Sequence, residues 1–181
     1  MHPHFAYLIL HAADLAIAQG AELSFPLQAG GRPPMRATAI EYDALAEVAK
    51  IRFAGPIPVG PATLSLAFEG AVNDQMRGCY RSAYTTQKGE ARHMVVTQFE
   101  AADARRCFPC FDEPAFKATF ELSLVVPAGR VALSNMPAVA TLVEGPLKTV
   151  RFAPSVKMST YLVAFVVGEL EAIEGKTKDG G

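Results

Sequence analysis

Glycine and proline punctuate this chain so closely that few stretches between them are long enough for a packed helix. Breaks fall at Gly30-Gly31, Pro33-Pro34, Gly55-Pro56, Gly60-Pro61, Lys88-Gly89, Pro127 to Gly129 and Gly145-Pro146. Between them the side chains alternate. Leu64, Leu66 and Phe68 oppose Thr63, Ser65 and Glu69, and Ala118, Phe120, Leu122 and Leu124 oppose Lys117, Thr119, Glu121 and Ser123. Val150 and Phe152 oppose Thr149 and Arg151 in the same way. A period of two with β-branched and aromatic residues marks half-buried strands. Tyr161 to Val167 is apolar on both faces and predicts a central, doubly covered strand. Short strands with closely spaced turns predict an all-β fold, an antiparallel sandwich or saddle-shaped sheet with little helix. Helix is expected for about one turn over Ala101 to Arg106, where good formers gather, and more weakly over Ala44 to Val48.

The 181 residues suit one domain, 1–181, large enough to bury a core. With 17 Lys and Arg against 18 Asp and Glu, the formal charge of -1 leaves no basic stripe for nucleic acid or an anionic membrane. No nucleic-acid or membrane partner is therefore expected. Half the residues are hydrophobic, at 50%, which fits either a sheet-rich core or a face that packs on another domain. The apolar run Phe5 to Ala18 is broken by His11 and Asp14 and falls short of the roughly 20 residues a spanning helix needs. It lacks the basic lead-in of a signal peptide. Three cysteines, Cys79, Cys107 and Cys110, give no paired framework, so a reducing, cytoplasmic setting is expected.

Few residues offer chemistry on their own. The histidines are His2, His4, His11 and His93, with no HExxH among them, so no catalytic zinc site is expected in this chain. His2 and His4 read as a solvated tail, and His93 as an exposed strand residue. Cys107-Phe-Pro-Cys110 has the spacing of a redox motif, but an alternating strand follows it instead of the helix that would acidify the first thiol. Incidental packing is the simpler reading, because cysteine is among the most buried residue types. Gln98 and Glu100, two apart on a strand-like run, project to the same face. From pattern alone they are an ordinary polar stripe.

The stretch Thr97 to Pro127, TQFEAADARRCFPCFDEPAFKATFELSLVVP, gives that stripe a different meaning. It closely resembles the N-terminal domain of zinc aminopeptidases of the aminopeptidase N family, within it the puromycin-sensitive branch. Phe68-Glu69-Gly70, Asn73-Asp74, Gly78 and Tyr80 to Thr86 resemble the strand pair ahead of that segment. Val131 to Met136 and Met158 to Phe165 resemble later strands. The similarity is strongest over 68–178 and weak ahead of Phe68. Cys107 and Phe111 depart from the pattern, which has a small residue and an indole there.

The resemblance implies that Gln98 and Glu100 reach into the active-site cleft, where Glu100 helps hold the substrate's free α-amino group and Gln98 lines the same subsite. Arg105 and Asp112 are then scaffolding, a pair that fixes the turn aiming them, and Asp103, Arg106 and Glu113 belong to the same scaffold. It further implies a zinc cofactor in the complete enzyme, with ligands outside this chain, and two partners, a peptide N-terminus and a missing catalytic domain. The chain is expected to be cut at both ends, with Gly175 to Gly181 a turn severed before its next strand, and to be inactive alone. Two other readings stay open: a stand-alone β-module that binds a peptide end or a protein partner, and a thiol oxidoreductase built on Cys107 and Cys110.

Overall fold

A computed structural model describes residues 5–26 and 32–171. His2, His4, the Gly30-Gly31 break and the Gly175–Gly181 end lie outside the described residues. Among those described, the regular secondary structure is strand apart from two short 3-10 turns, and every ladder between strands is antiparallel. The all-β expectation holds.

The first five strands are β1 (Tyr7–His11), β2 (Leu15–Ile17), β3 (Glu22–Ser24), β4 (Met35–Asp43) and β5 (Val48–Phe53). Next come β6 (Thr63–Ser65), β7 (Phe68–Gly70), β8 (Gly78–Thr85) and β9 (Ala91–Gln98). The last five are β10 (Ser123–Pro127), β11 (Val131–Ser134), β12 (Ala138–Glu144), β13 (Leu147–Phe152) and β14 (Phe165–Gly168). They form a five-stranded sheet, β1-β5-β4-β3-β6, a four-stranded sheet, β11-β14-β9-β8, a three-stranded sheet, β10-β13-β12, and the pair β2-β7.

The period of two does its work in β5 and β13. Ala49, Ile51 and Phe53 alternate inward along β5, while Lys50 and Arg52 stay partly solvated. Leu10, Leu23, Ile51 and Phe53 close one core cluster, and Val126, Ala132, Val150 and Phe152 another. Phe99, Ala104, Met158 and Val163 form a third, directly beneath the end of β9. With Phe99 only 2% exposed, its truncation to alanine would remove about 3–5 kcal/mol.

Three expectations are corrected in detail. Tyr161 to Val167 is not one strand: Thr160–Leu162 is a 3-10 turn and β14 begins only at Phe165. Side chains dictate the break. Thr160 Oγ1 donates to the Asp112 carboxylate, and Asn135 both donates to the Leu162 carbonyl and accepts from the Ala164 N–H. The remaining strand does lie centrally, between β11 and β9. Ala118 to Leu124 joins a ladder only from Ser123. Ahead of it, Ala118 bridges Met158 and Phe120 N–H donates to the Ser155 hydroxyl. Ala44 to Val48 is no helix: residues 44–47 are the turn between β4 and β5, where Asp43 Oδ1 accepts from the N–H groups of Leu45 and Ala46, and Val48 opens β5. Within Ala101 to Arg106 a 3-10 turn does form, over Ala104–Arg106.

Candidate functional site

Strand β9 stops at Gln98, and Glu100 lies two residues further on, in the turn that leads to Ala104–Arg106. The strand periodicity nevertheless carries through. Gln98 and Glu100 are exposed, and Phe99 between them is buried. The amide and the carboxylate are thus displayed on either side of an anchored aromatic ring. Phe99 also packs edge-on against Phe108, with centroids 5.9 Å apart. The Glu100–Ala101 peptide bond is cis.

Behind this rim lies a network of charges. Arg105 Nε donates to Asp112 Oδ2 at 3.0 Å, its Nη2 to the Asp112 carbonyl at 3.3 Å and its Nη1 to Glu47 Oε2 at 3.3 Å. Asp112 is 4% exposed and also accepts from the Arg105 N–H at 3.3 Å and from Thr160 Oγ1 at 2.7 Å. Arg106 Nε donates to Asp103 Oδ1 at 2.9 Å and Nη1 to Asp14 Oδ2 at 2.7 Å, while Nη2 meets Glu47 Oε1. Glu47 therefore clamps both guanidinium groups. A buried carboxylate with this many donors is satisfied rather than free to react. The structure brings Arg105 and Asp112 together, and Asp103 and Arg106 with them, whereas Glu113 is exposed.

Sequence reasoning missed Glu47, Asp14 and Thr160. Glu47 and Asp14 both adopt positive φ, 56° and 57°, and neither falls in a run whose spacing marks it as a partner of Arg106. No signal in the chain could have found them. His11 Nδ1 accepts the Asp112 N–H at 3.1 Å, which takes one ring nitrogen for structure. His93 is exposed on β9, as its alternating context predicts. Among the described residues, no three His, Cys, Asp or Glu side chains come together in a group that could hold a metal ion.

Gly78 sets the seat of this turn. Its φ is +64°, and a Cβ there would meet Arg106 Cβ at 2.8 Å and the Asp103 carbonyl at 3.5 Å. Gly78→Ala is expected to cost roughly 2–4 kcal/mol, from the left-handed backbone and the forced retreat of Arg106. Gly89→Ala is the matched control, since φ is +80° with nothing within 4 Å. It should lose only the conformational part, about 1–2 kcal/mol, in urea unfolding.

One apolar cavity of about 300 Å³ lies nearby, between the third and the Val126–Phe152 clusters, with Phe108, Phe120, Leu122, Met136 and Phe165 in its wall. Neither Gln98 nor Glu100 lines it. Its wall suits an apolar guest, whereas the rim at Glu100 offers what a cation needs.

Comparison with known proteins gives this arrangement a context. Residues 4–162 match the Peptidase M1 N-terminal domain family, so the match takes in the strands ahead of Phe68 as well as those after it. The chain is 51% identical over 174 residues to Aminopeptidase M1-D of Oryza sativa subsp. japonica, covering 96% of this chain and 19% of that protein. It is 40% identical over 175 residues to the Puromycin-sensitive aminopeptidase of Caenorhabditis elegans, covering 96% and 18%. Against Aminopeptidase N of Acetobacter pasteurianus it is 44% identical over 143 residues, 78% of this chain and 40% of that protein. The chain thus spans about a fifth of the length of the plant and nematode relatives. The antiparallel fold and these likenesses bear out the resemblance: the chain belongs to the Peptidase M1 N-terminal domain family.

Proposed function

We propose that this chain serves as the N-terminal, substrate-binding domain of a longer zinc aminopeptidase, and that Gln98 and Glu100 receive the α-amino group of a peptide. The observation that carries this reading is the display of both side chains at the end of β9, around the buried Phe99, on a turn braced by Arg105 and Asp112. A peptide α-amino group has a pKa of about 7.7–8.0 and is largely protonated near neutrality. A carboxylate shielded by an apposed catalytic domain binds it through a charge-assisted hydrogen bond. A blocked N-terminus would leave that carboxylate unpaired, at a cost of roughly 1–3 kcal/mol. Selection for a free terminus follows from that cost.

Zinc belongs in this proposal to the complete enzyme, because the described residues do not fit it and no hydrolytic step is assigned to them. The partners are the peptide terminus and the catalytic domain. The setting is cytoplasmic, a reading supported by three free cysteines. The stand-alone β-module remains the second reading, favoured by the exposed Val125, Leu142 and Leu147, which sit on neighbouring strands of the three-stranded sheet.

Zinc content and aminopeptidase activity, measured on the 181-residue chain and on the protein that carries a catalytic domain, separate the two. The expected result is zinc and turnover of free-amine peptides in the longer protein only. Turnover by the 181 residues alone, or a longer protein that ignores peptide termini, would overturn the proposal.

A further inference from the structure

We propose that the cavity between the Phe99 and the Val126–Phe152 clusters is a binding site for a small, uncharged, two-ring aromatic molecule. Its volume is about 300 Å³. An apolar protein cavity of roughly 150 Å³ stays dry and holds one benzene ring, so this one has room for two fused rings. Phe68 and Glu121 line it and are exposed, which opens it to solvent on their side.

The wall selects for an aromatic guest. Four rings, Phe108, Phe120, Phe152 and Phe165, and two thioethers, Met136 and Met158, line it. Phenyl rings pair with a flat guest in offset or edge-on geometry, and polarizable sulfur favours an aromatic ring as its neighbour. Wall atoms that face the cavity have no dispersion partner on that side, and a guest of matching shape supplies one. The site also lies one ring away from the rim at Glu100. Phe108 stands in its wall and packs edge-on against Phe99, with centroids 5.9 Å apart.

The same wall selects against charge and against hydrogen-bonding groups. Its polar side chains are engaged within the fold. Ser155 Oγ accepts from the Phe120 N–H at 2.9 Å and donates to the Val156 carbonyl at 2.8 Å. Asn135 donates to the Leu162 carbonyl at 2.9 Å and accepts from the Ala164 N–H at 2.8 Å. Ser134 Oγ donates to the Ala164 carbonyl at 2.8 Å. Cys107 adds only a thiol, a weak donor. A guest N–H would have to share an oxygen already in use, which returns little of its lost hydration. Among the described residues, no Lys, Arg or His lines the cavity to receive an anion, and the Glu121 carboxylate at its edge repels one.

The test is titration of the nitrogen-15-labelled 181-residue chain with naphthalene, indole and 2-naphthoate, followed by amide chemical shifts. Naphthalene should give saturable shifts centred on Phe108, Phe120, Met136 and Phe165. Indole should bind several-fold more weakly, and 2-naphthoate at least about 10-fold more weakly. Ala153→Leu adds three carbons to the wall and should weaken naphthalene at least about 10-fold. Its unfolding midpoint shows whether the variant is folded, and if it is not, the three titrations of the parent chain decide. No saturable shift at the solubility limit of naphthalene, equal affinity for 2-naphthoate, or shifts confined to the exposed face of the three-stranded sheet would each overturn the proposal.

Discussion

Asp112→Ala is expected to cost about 3–5 kcal/mol of folding stability, the usual penalty for leaving one half of a buried ion pair behind. The carboxylate that disappears is the common acceptor for Arg105 Nε, the Arg105 N–H and Thr160 Oγ1, at 3.0, 3.3 and 2.7 Å. Its loss strands a guanidinium whose side chain is only 13% exposed, with Glu47, at 3.3 Å, as its remaining carboxylate partner among the described residues. It also frees Thr160, whose hydroxyl helps hold the 3-10 turn ahead of β14. Asp112→Asn keeps an acceptor in place but removes the charge, and should lose roughly half as much. Midpoints of urea unfolding at constant slope measure both. Losses within about 1 kcal/mol for the alanine variant would mean that the buried pair is not what braces the turn.

The second large effect concerns Glu100 in the longer enzyme proposed for this domain. Glu100→Ala is expected to lower kcat/KM for free-amine peptides by roughly 10–100-fold, chiefly through KM, because a hydrogen bond to a charged group contributes about 1.5–3 kcal/mol. Gln98→Ala should cost only a few-fold, since a neutral amide supplies a weaker bond to an ammonium group than a carboxylate does. Neither change touches the core. Both side chains are exposed, and the buried Phe99 that fixes their directions is retained. The unfolding midpoint should therefore stay within about 0.5 kcal/mol of the parent, which distinguishes lost recognition from lost structure. Kinetics equal to the parent would remove Glu100 from the site.

How much of this was legible in the chain depends on the reach of each signal. Alternation along Val150-Arg151-Phe152 foretold an inward, outward, inward order, and β13 has it. Alternation along Gln98-Phe99-Glu100 did the same for the rim, even though the ladder ends two residues before the pattern does. Local period is set by the chain's own pleat, so it can be read from a few residues. The run from Tyr161 to Val167 misled because its apolar composition says nothing of Asn135, which caps the break from 29 residues away in sequence. Glu47 was invisible for the same reason, since it reaches Arg106 across 59 positions from a turn of its own. Cys107 shows the limit most sharply. The spacing of Cys107 and Cys110 suggests a redox motif, whereas in the fold the Cys110 backbone bridges His11 of β1 and both side chains pack against the Phe99 cluster.

Affinity for two inhibitory peptides that differ only in possessing or lacking the α-amino group, each measured against the parent enzyme and the Glu100→Gln variant, goes to the heart of the proposed role. If this side chain is what meets the cationic terminus, deleting the amine weakens binding to the parent by about 10-fold or more and leaves the variant nearly indifferent. An equal penalty in both proteins would show that the charge is recognised elsewhere.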